Sequence, residues 1–419
     1  MSATTVKTSE CSESSPHPTA DDLRRWDREV YWHAFTQMSE YVPLMIDRAE
    51  GCVLIDIEGR EYLDGVSSLW CNVHGHRHPK IDAAIREQLD RVAHCTSLGA
   101  SCTTTVRLAK RIVDIAPPGL QHVFFSDSGA TAVEVALKMA IQYWQQCDDP
   151  QPQKTKFVAL DEAYHGDTLG AVSVGGMDRF HAIFRPLLFD VFRVETPRAD
   201  RLPLGLISEG KGASDEVCQH YLQGVERVLA ENADTIAAFI IEPLVQGAAG
   251  ILVHPRGYLA GVRELTRKYG VLLIADEVAV GIGRTGRMFA CEHEGVTPDM
   301  LCLAKGITGG YLPLAATLAT DDLYRAFLGE HAELKTFFHG HTYGGNPLAA
   351  AAAIATLDLF EEEQTLQAMM PKVARLEQRL ARLAQHRHVA RVRQRGLMAG
   401  IELCDDRSAD LPYPWQEQR

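Results

Sequence analysis

The sequence predicts an α/β protein with a largely parallel sheet covered by helices. Short apolar runs (HVFFS, KFVAL, AAFIIEP, VLLIAD, MLCLA) recur between about residues 77 and 345, and amphipathic helical stretches alternate with them. Two of these runs end in charged side chains: GVLLIADEV (270–278) delivers Asp276, and DMLCLAKGITGG (299–310) delivers Lys305 ahead of a glycine-rich turn. At 419 residues the chain is long enough for a large core and two lobes.

In chain order, the first twenty residues are rich in Ser, Thr and Pro and lack an apolar segment, so they read as a flexible tail and not a signal peptide. DDLRRWDREVYW (21–32) suggests a short capped helix. CVLIDIEGREYLDG (52–65) suggests two alternating strands turned at Glu58-Gly59. PKIDAAIREQLDRVAH and VRLAKRIVDIA are amphipathic helices, and the polar stretch 198–216 reads as a surface loop. NPLAAAAAIATLDLF (346–360) reads as a buried helix, FEEEQTLQAMMPKVARLEQRLARLAQH as a strongly amphipathic one, and VRQRGLMAGIEL (392–403) as a returning strand. Three further divisions follow: 21–76, a large domain over 77–345, and a last segment 346–419. No internal repeat is evident.

Hydrophobic content of 46% and charged content of 23% are those of a soluble globular protein. A net charge of −13 argues against nucleic acid as a partner. Ten cysteines without a CxxC pair, several inside apolar runs, point to reduced thiols in the cytoplasm. No apolar stretch reaches membrane-spanning length.

Bare Asp and Lys side chains are costly to bury, so a pair at strand ends suggests a ligand that uses both charges. Pyridoxal phosphate is such a ligand: its aldehyde condenses with a lysine amine, and its pyridinium nitrogen keeps its proton beside a carboxylate. A structural ion pair at a sheet edge is the plainer alternative for the same two residues. Between HVFFS and the helix AVEVALKMAIQYW lies Asp127-Ser128-Gly129-Ala130-Thr131. A strand, a small-residue turn and a helix start expose backbone N–H groups to an anion, with Ser128 and Thr131 adding hydroxyls. An ordinary helix N-cap would look the same in isolation. Its location at a strand end, like that of Asp276 and Lys305, favours the ligand. Tyr164, after KFVAL, could lie on a pyridine ring, and Trp70 could wall a substrate channel; a loop tyrosine and a core tryptophan are the plain readings. Two patterns point elsewhere. Gly281-Ile282-Gly283-Arg284-Thr285-Gly286 matches a dinucleotide fingerprint, but it lacks a good crossover helix and a following strand with a terminal acid. His74, His76 and His78 alternate as metal ligands might be spaced, without a carboxylate or thiolate to complete the shell.

Asp276, Lys305, Ser128-Gly129-Ala130, Tyr164-His165-Gly166-Asp167 and Gly340-His341-Thr342, in that setting, resemble the class III, fold-type I aminotransferases. WHAFTQM (32–38), SSLWCNVHGHRHP (67–79), GRTGRMFACEHEGVTPD (283–299) and FFHGHTYGGNPLA (337–349) extend the similarity from about residue 22 to the end. The resemblance implies a large cofactor domain and a smaller α/β domain built from both termini. It implies that Lys305 binds pyridoxal phosphate and then moves the proton, and that Asp276 pairs with the pyridinium. Gly129 and Ala130 hold the phosphate, and His341 and Thr342 reach it from the partner of an obligate homodimer. Tyr164 covers the ring, while Trp70, Phe35 and Gly340 line the substrate side. It also implies an arginine for a substrate carboxylate beyond the PYPW region, whereas the sequence given stops at Arg419. Further chain or another arginine would supply that group; without either, the protein would bind cofactor and not turn over.

Overall fold

The computed structural model describes residues 18–200, 213–406 and 411–414. The expected tail, up to residue 17, and positions 201–212 of the polar stretch lie outside the described residues. Two compact units are present, one running to Gly65 and the other from Val66 onward.

In the first unit, helix α1 (Ala20–Val30) starts at a capping box: Thr19 Oγ1 accepts from Asp22 N at 3.1 Å and Thr19 N donates to Asp22 Oδ2 at 3.2 Å. Strands β1 (Ile46–Glu50), β2 (Val53–Asp56) and β3 (Glu61–Leu63) form an antiparallel sheet. Asp56 organises the turn expected at Glu58-Gly59. Its carboxylate accepts from the Glu58 and Arg60 N–H groups at 3.0 and 2.9 Å and from the Tyr62 hydroxyl at 3.0 Å.

The second unit opens with helices α2 (Pro79–Arg91) and α3 (Thr103–Ile115) and then builds a seven-stranded sheet. Its strands are β4 (Leu120–Ser126), β5 (Lys156–Leu160), β6 (Val191–Val194), β7 (Ile236–Ile241), β8 (Leu272–Asp276), β9 (Met300–Leu303) and β10 (Ala315–Thr320), in the order β4-β10-β9-β8-β7-β5-β6. Only β10 runs against the others, pairing antiparallel with β9 and β4 while the remaining neighbours are parallel. Helices on both faces explain why the strands read as continuous apolar runs. Along β7, Phe239 and Ile241 belong to one buried cluster and Ala238 and Ile240 to the other.

Two strands of this sheet escape the sequence reading. Val-Phe-Arg-Val of β6 is broken by Arg193, whose guanidinium donates to the carbonyls of Ser173, Val174 and Gly175 at 2.7, 2.9 and 2.6 Å. β10 reads Ala-Ala-Thr-Leu-Ala-Thr, half of it alanine, which is depleted in strands. Its small residues let helix α4 (Gly129–Gln146) lie close on the sheet, where Thr317 Oγ1 donates to Ala132 O at 2.9 Å. The C-terminal segment also departs from expectation. The amphipathic stretch starting at Phe360 divides between helices, one over Pro347–Glu362 and the next over Thr365–Leu383, with Gln364 at φ +48° between them. The single returning strand expected over 392–403 is a hairpin of Val389–Arg395 and Met398–Asp406 that turns at Gly396. Among the described residues no helix is long and apolar enough to cross a membrane.

Candidate active site

A cavity of about 740 Å³ opens at the C-terminal ends of β4, β5, β7, β8 and β9, where ligands of α/β sheets collect. Trp70, Ser128, Gly129, Ala130, Tyr164, Asp276 and Lys305 all line it. Six expected residues from four segments, and Trp70 from the loop before α2, are thereby brought together.

Asp276 ends β8 and is 4% exposed. Its Oδ2 faces His165 Nδ1 at 2.7 Å and its Oδ1 accepts from Val278 N at 3.0 Å, which fixes the carboxylate plane. His165 Nε2 is buried without a partner among the described residues. Glu242, one residue beyond β7, accepts from Tyr164 N at 3.2 Å and from Gly247 N at 2.8 Å. Burial pushes its pKa up to about 7.

Lys305 follows β9 in a left-handed conformation, φ +46°, unusual for a side chain of its length and a local cost held by the surrounding fold. Its Nζ lies 5.3 Å from the centroid of the Trp70 ring, and no acceptor holds it among the described residues. Burial lowers its pKa below the ordinary lysine value, with the Asp276 and Glu242 carboxylates acting in the opposite sense.

Trp70 ends a turn in which Ser67, Ser68, Leu69 and Trp70 have φ of +52°, +46°, +66° and +68°. This is one turn of left-handed helix, closed by Trp70 N to Val66 O at 2.8 Å and Cys71 N to Ser67 O at 3.0 Å. Such a turn costs L-residues about 1–2 kcal/mol each. Tertiary contacts hold it. Arg284 Nη2 donates to Trp70 O at 2.9 Å, and the ring lies so close to Gly247 that a Cβ there would be 2.9 Å from it.

At the other end, Ser128 caps α4, and Gly129 is bare because a Cβ would sit 2.5 Å from Val278 Cγ1. The hydroxyls expected to face an anion are engaged locally. Ser128 Oγ accepts from Thr131 N at 3.4 Å, and Thr131 Oγ1 accepts from Ser128 N at 3.0 Å. The N-cap and anion-turn readings therefore hold together, with the Gly129 and Ala130 N–H groups left as the donors. Tyr164 donates its hydroxyl to Asp167 Oδ2 at 2.7 Å, and its ring stacks on His181 with centroids 6.1 Å apart. Burial and that carboxylate raise the Tyr164 pKa, so the phenol stays protonated.

The other expected residues lie elsewhere. Gly340, His341 and Thr342 do not line the cavity of the single chain; His341 Nδ1 pairs with Asp127 Oδ2 at 2.7 Å, just before the Ser128 turn. Phe35 belongs to the first unit, 72% exposed with φ +53°. The Gly281–Gly286 stretch forms turns with Gly283 at φ +83° and Gly286 at φ +105°, and its Arg284 is the part that serves the site. His74 Nε2 meets Thr356 O at 3.1 Å, and no metal-ligating cluster occurs among the described residues. Sequence reasoning missed Glu242, His165, Asp167 and Arg284 as site residues. The first had a signal, since AAFIIEP is another apolar run that ends in a charged side chain.

The residues present fit pyridoxal phosphate. A helix N-terminus with glycine at its first position suits a phosphate, an anchored carboxylate suits the ring nitrogen, and an unbonded, desolvated amine suits the aldehyde. A sheet of this order, with those three groups at its strand ends, defines a pyridoxal-phosphate-dependent transferase. The chain belongs to the class III aminotransferases: the family model "Aminotransferase class-III" matches residues 34–416. An adenosylmethionine-8-amino-7-oxononanoate aminotransferase of Nitratidesulfovibrio vulgaris is 55% identical over 399 residues, covering 94% of this chain and 72% of that protein. Another of that name from Geobacter sulfurreducens is 51% identical, covering 94% and 86%. The crystal structure of such an aminotransferase from Methanocaldococcus jannaschii superposes with a TM-score of 0.87 at 43% identity, covering 94% of this chain and 87% of that one.

Proposed function

We propose that this chain aminates 8-amino-7-oxononanoate to 7,8-diaminononanoate, a step of biotin biosynthesis, with S-adenosylmethionine as amino donor. It would act in the cytoplasm as a homodimer with shared active sites. The substrates come from the names of relatives at 55% and 51% identity. The observation that carries the reaction class is Lys305: an amine with a lowered pKa and no hydrogen-bond acceptor, in one cavity with Asp276.

Bound pyridoxal phosphate supplies an electron sink that allows a C–H bond next to an amine to be broken. Lys305 would hold the cofactor covalently and, once released, take and return the proton; burial lowers its pKa and so favours the neutral amine. Asp276, held by His165 and Val278 N–H, keeps the ring nitrogen protonated. The Ser128-Gly129-Ala130 turn binds the phosphate, joined by His341 and Thr342 of the partner subunit. Tyr164 covers the ring and excludes water, and Trp70 and Gly340 shape the substrate side.

The test is the visible spectrum of the purified chain with pyridoxal phosphate, before and after S-adenosylmethionine or lysine. A cofactor band that requires Lys305 and is bleached by S-adenosylmethionine supports the proposal. Bleaching by lysine alone moves the donor, and a band that neither bleaches points to another amine substrate.

A further inference from the structure

The cavity lies between two pieces of chain that hydrogen bonds within each piece do not tie together. One is α4, whose first turn forms the anion site. The other is the loop Tyr164–Thr168 with the short helix α5 (Leu169–Val174) that follows it. Glu134, one turn along α4 from Ala130, joins them: its Oε1 accepts from Gly170 N at 2.7 Å and from Ala171 N at 3.3 Å. Those are first-turn donors of α5, which its own N-cap does not satisfy. Thr168 makes no side-chain cap bond, and its Oγ1 is buried without a partner among the described residues. The carboxylate that completes α5 is thus borrowed from the anion-binding helix.

The fit is tight at two points four residues apart on both pieces. A Cβ on Gly166 (φ +122°) would lie 2.4 Å from Ala130 Cβ, and one on Gly170 would lie 2.3 Å from Glu134 Oε2. Between these contacts and the Glu242 bond to Tyr164 N, the loop carries His165 to its 2.7 Å contact with Asp276. No Lys or Arg pairs with Glu134 among the described residues; its hydrogen-bond partners there are backbone N–H groups, and the His339 ring interacts with it only electrostatically.

We propose that Glu134 is a positioning residue that sets the Tyr164–Thr168 loop against the anion turn, so that phosphate and ring are gripped as one rigid unit. The inference rests on the pyridoxal phosphate reading of the cavity. When the two grips are rigidly joined, the phosphate's binding energy also positions the ring; when they are uncoupled, part of that advantage is lost.

The test compares dissociation constants of pyridoxal phosphate and pyridoxal, read by induced circular dichroism, for wild type, Glu134→Ala, Glu134→Asp and Glu134→Gln. Glu134→Ala should reduce the preference for pyridoxal phosphate over pyridoxal by about tenfold, the scale of one lost charge-assisted hydrogen bond. Glu134→Gln, which keeps an acceptor oxygen in place, should restore most of it. Should Glu134→Ala not fold, Glu134→Asp, too short to reach Gly170 N, gives the same reading. Equal weakening of both ligands with an unchanged preference overturns the inference, because general loosening of the fold acts on both alike. A wild-type chain that does not prefer pyridoxal phosphate counts instead against the cofactor reading itself.

Discussion

Lys305 and Lys154 each hold an ammonium over a tryptophan, and burial lowers the pKa of both. Lys154 is 3% exposed, sits 4.3 Å from the Trp144 ring and donates to Gly270 O at 2.7 Å. Its charge is satisfied, and Trp144 is itself locked by Nε1 to Ala237 O at 2.9 Å. Lys305 lies 5.3 Å from its ring, has no acceptor, faces two carboxylates and opens on a cavity. A lowered pKa therefore does not by itself mark a reactive lysine. An unmet donor in a space large enough for a substrate does.

The largest effect expected is Lys305→Ala, which should cut transamination at least about 10³-fold while leaving the melting temperature nearly unchanged. Turnover that survived this change would break the contrast and the proposed function with it. Lys154→Ala should do the reverse, costing about 1–3 kcal/mol of stability by leaving Gly270 O unpaired, with kcat per folded molecule unaltered. Chemical denaturation beside a steady-state assay reads both. Gly247→Ala sharpens the Lys305 side: a Cβ 2.9 Å from the Trp70 ring must displace it, and kcat/KM should fall by about tenfold with little loss of cofactor binding. The smallest effect is on pH. Because burial lowers the folded pKa of Lys154 below 10.5, the unfolded chain binds the extra proton below that value. Wild-type stability should then rise relative to Lys154→Ala as pH climbs toward 10.5, and a flat difference would show that Lys154 stays fully charged in the fold.

Much of this was legible in the sequence because charge at the end of an apolar run is a local signal. Asp276, Lys305 and the Ser128 turn each announce themselves within a few residues of a strand. Strand β10 did not, since its alanines acquire their role only from helix α4 lying above them. Glu134 and His165 were hidden in the same way: each is defined by a contact dozens of residues away, with Gly170 and Asp276. The Ser128 turn was legible in two ways at once. The same residues suit an anion and a helix start, and only the hydrogen bonds show that the side chains take one task and the backbone the other.

The left-handed turn at Ser67–Trp70 has an implication for anyone selecting heat-tolerant variants. Leu69 is 69% exposed at φ +66°, a position where glycine meets no steric penalty. Random libraries screened only for survival at high temperature should therefore accumulate glycine at 68 or 69, where relief of backbone strain outweighs the entropy added to the unfolded chain. Those winners would carry a slacker tether on Trp70 and should be poorer catalysts, so a screen here has to select for turnover as well as endurance.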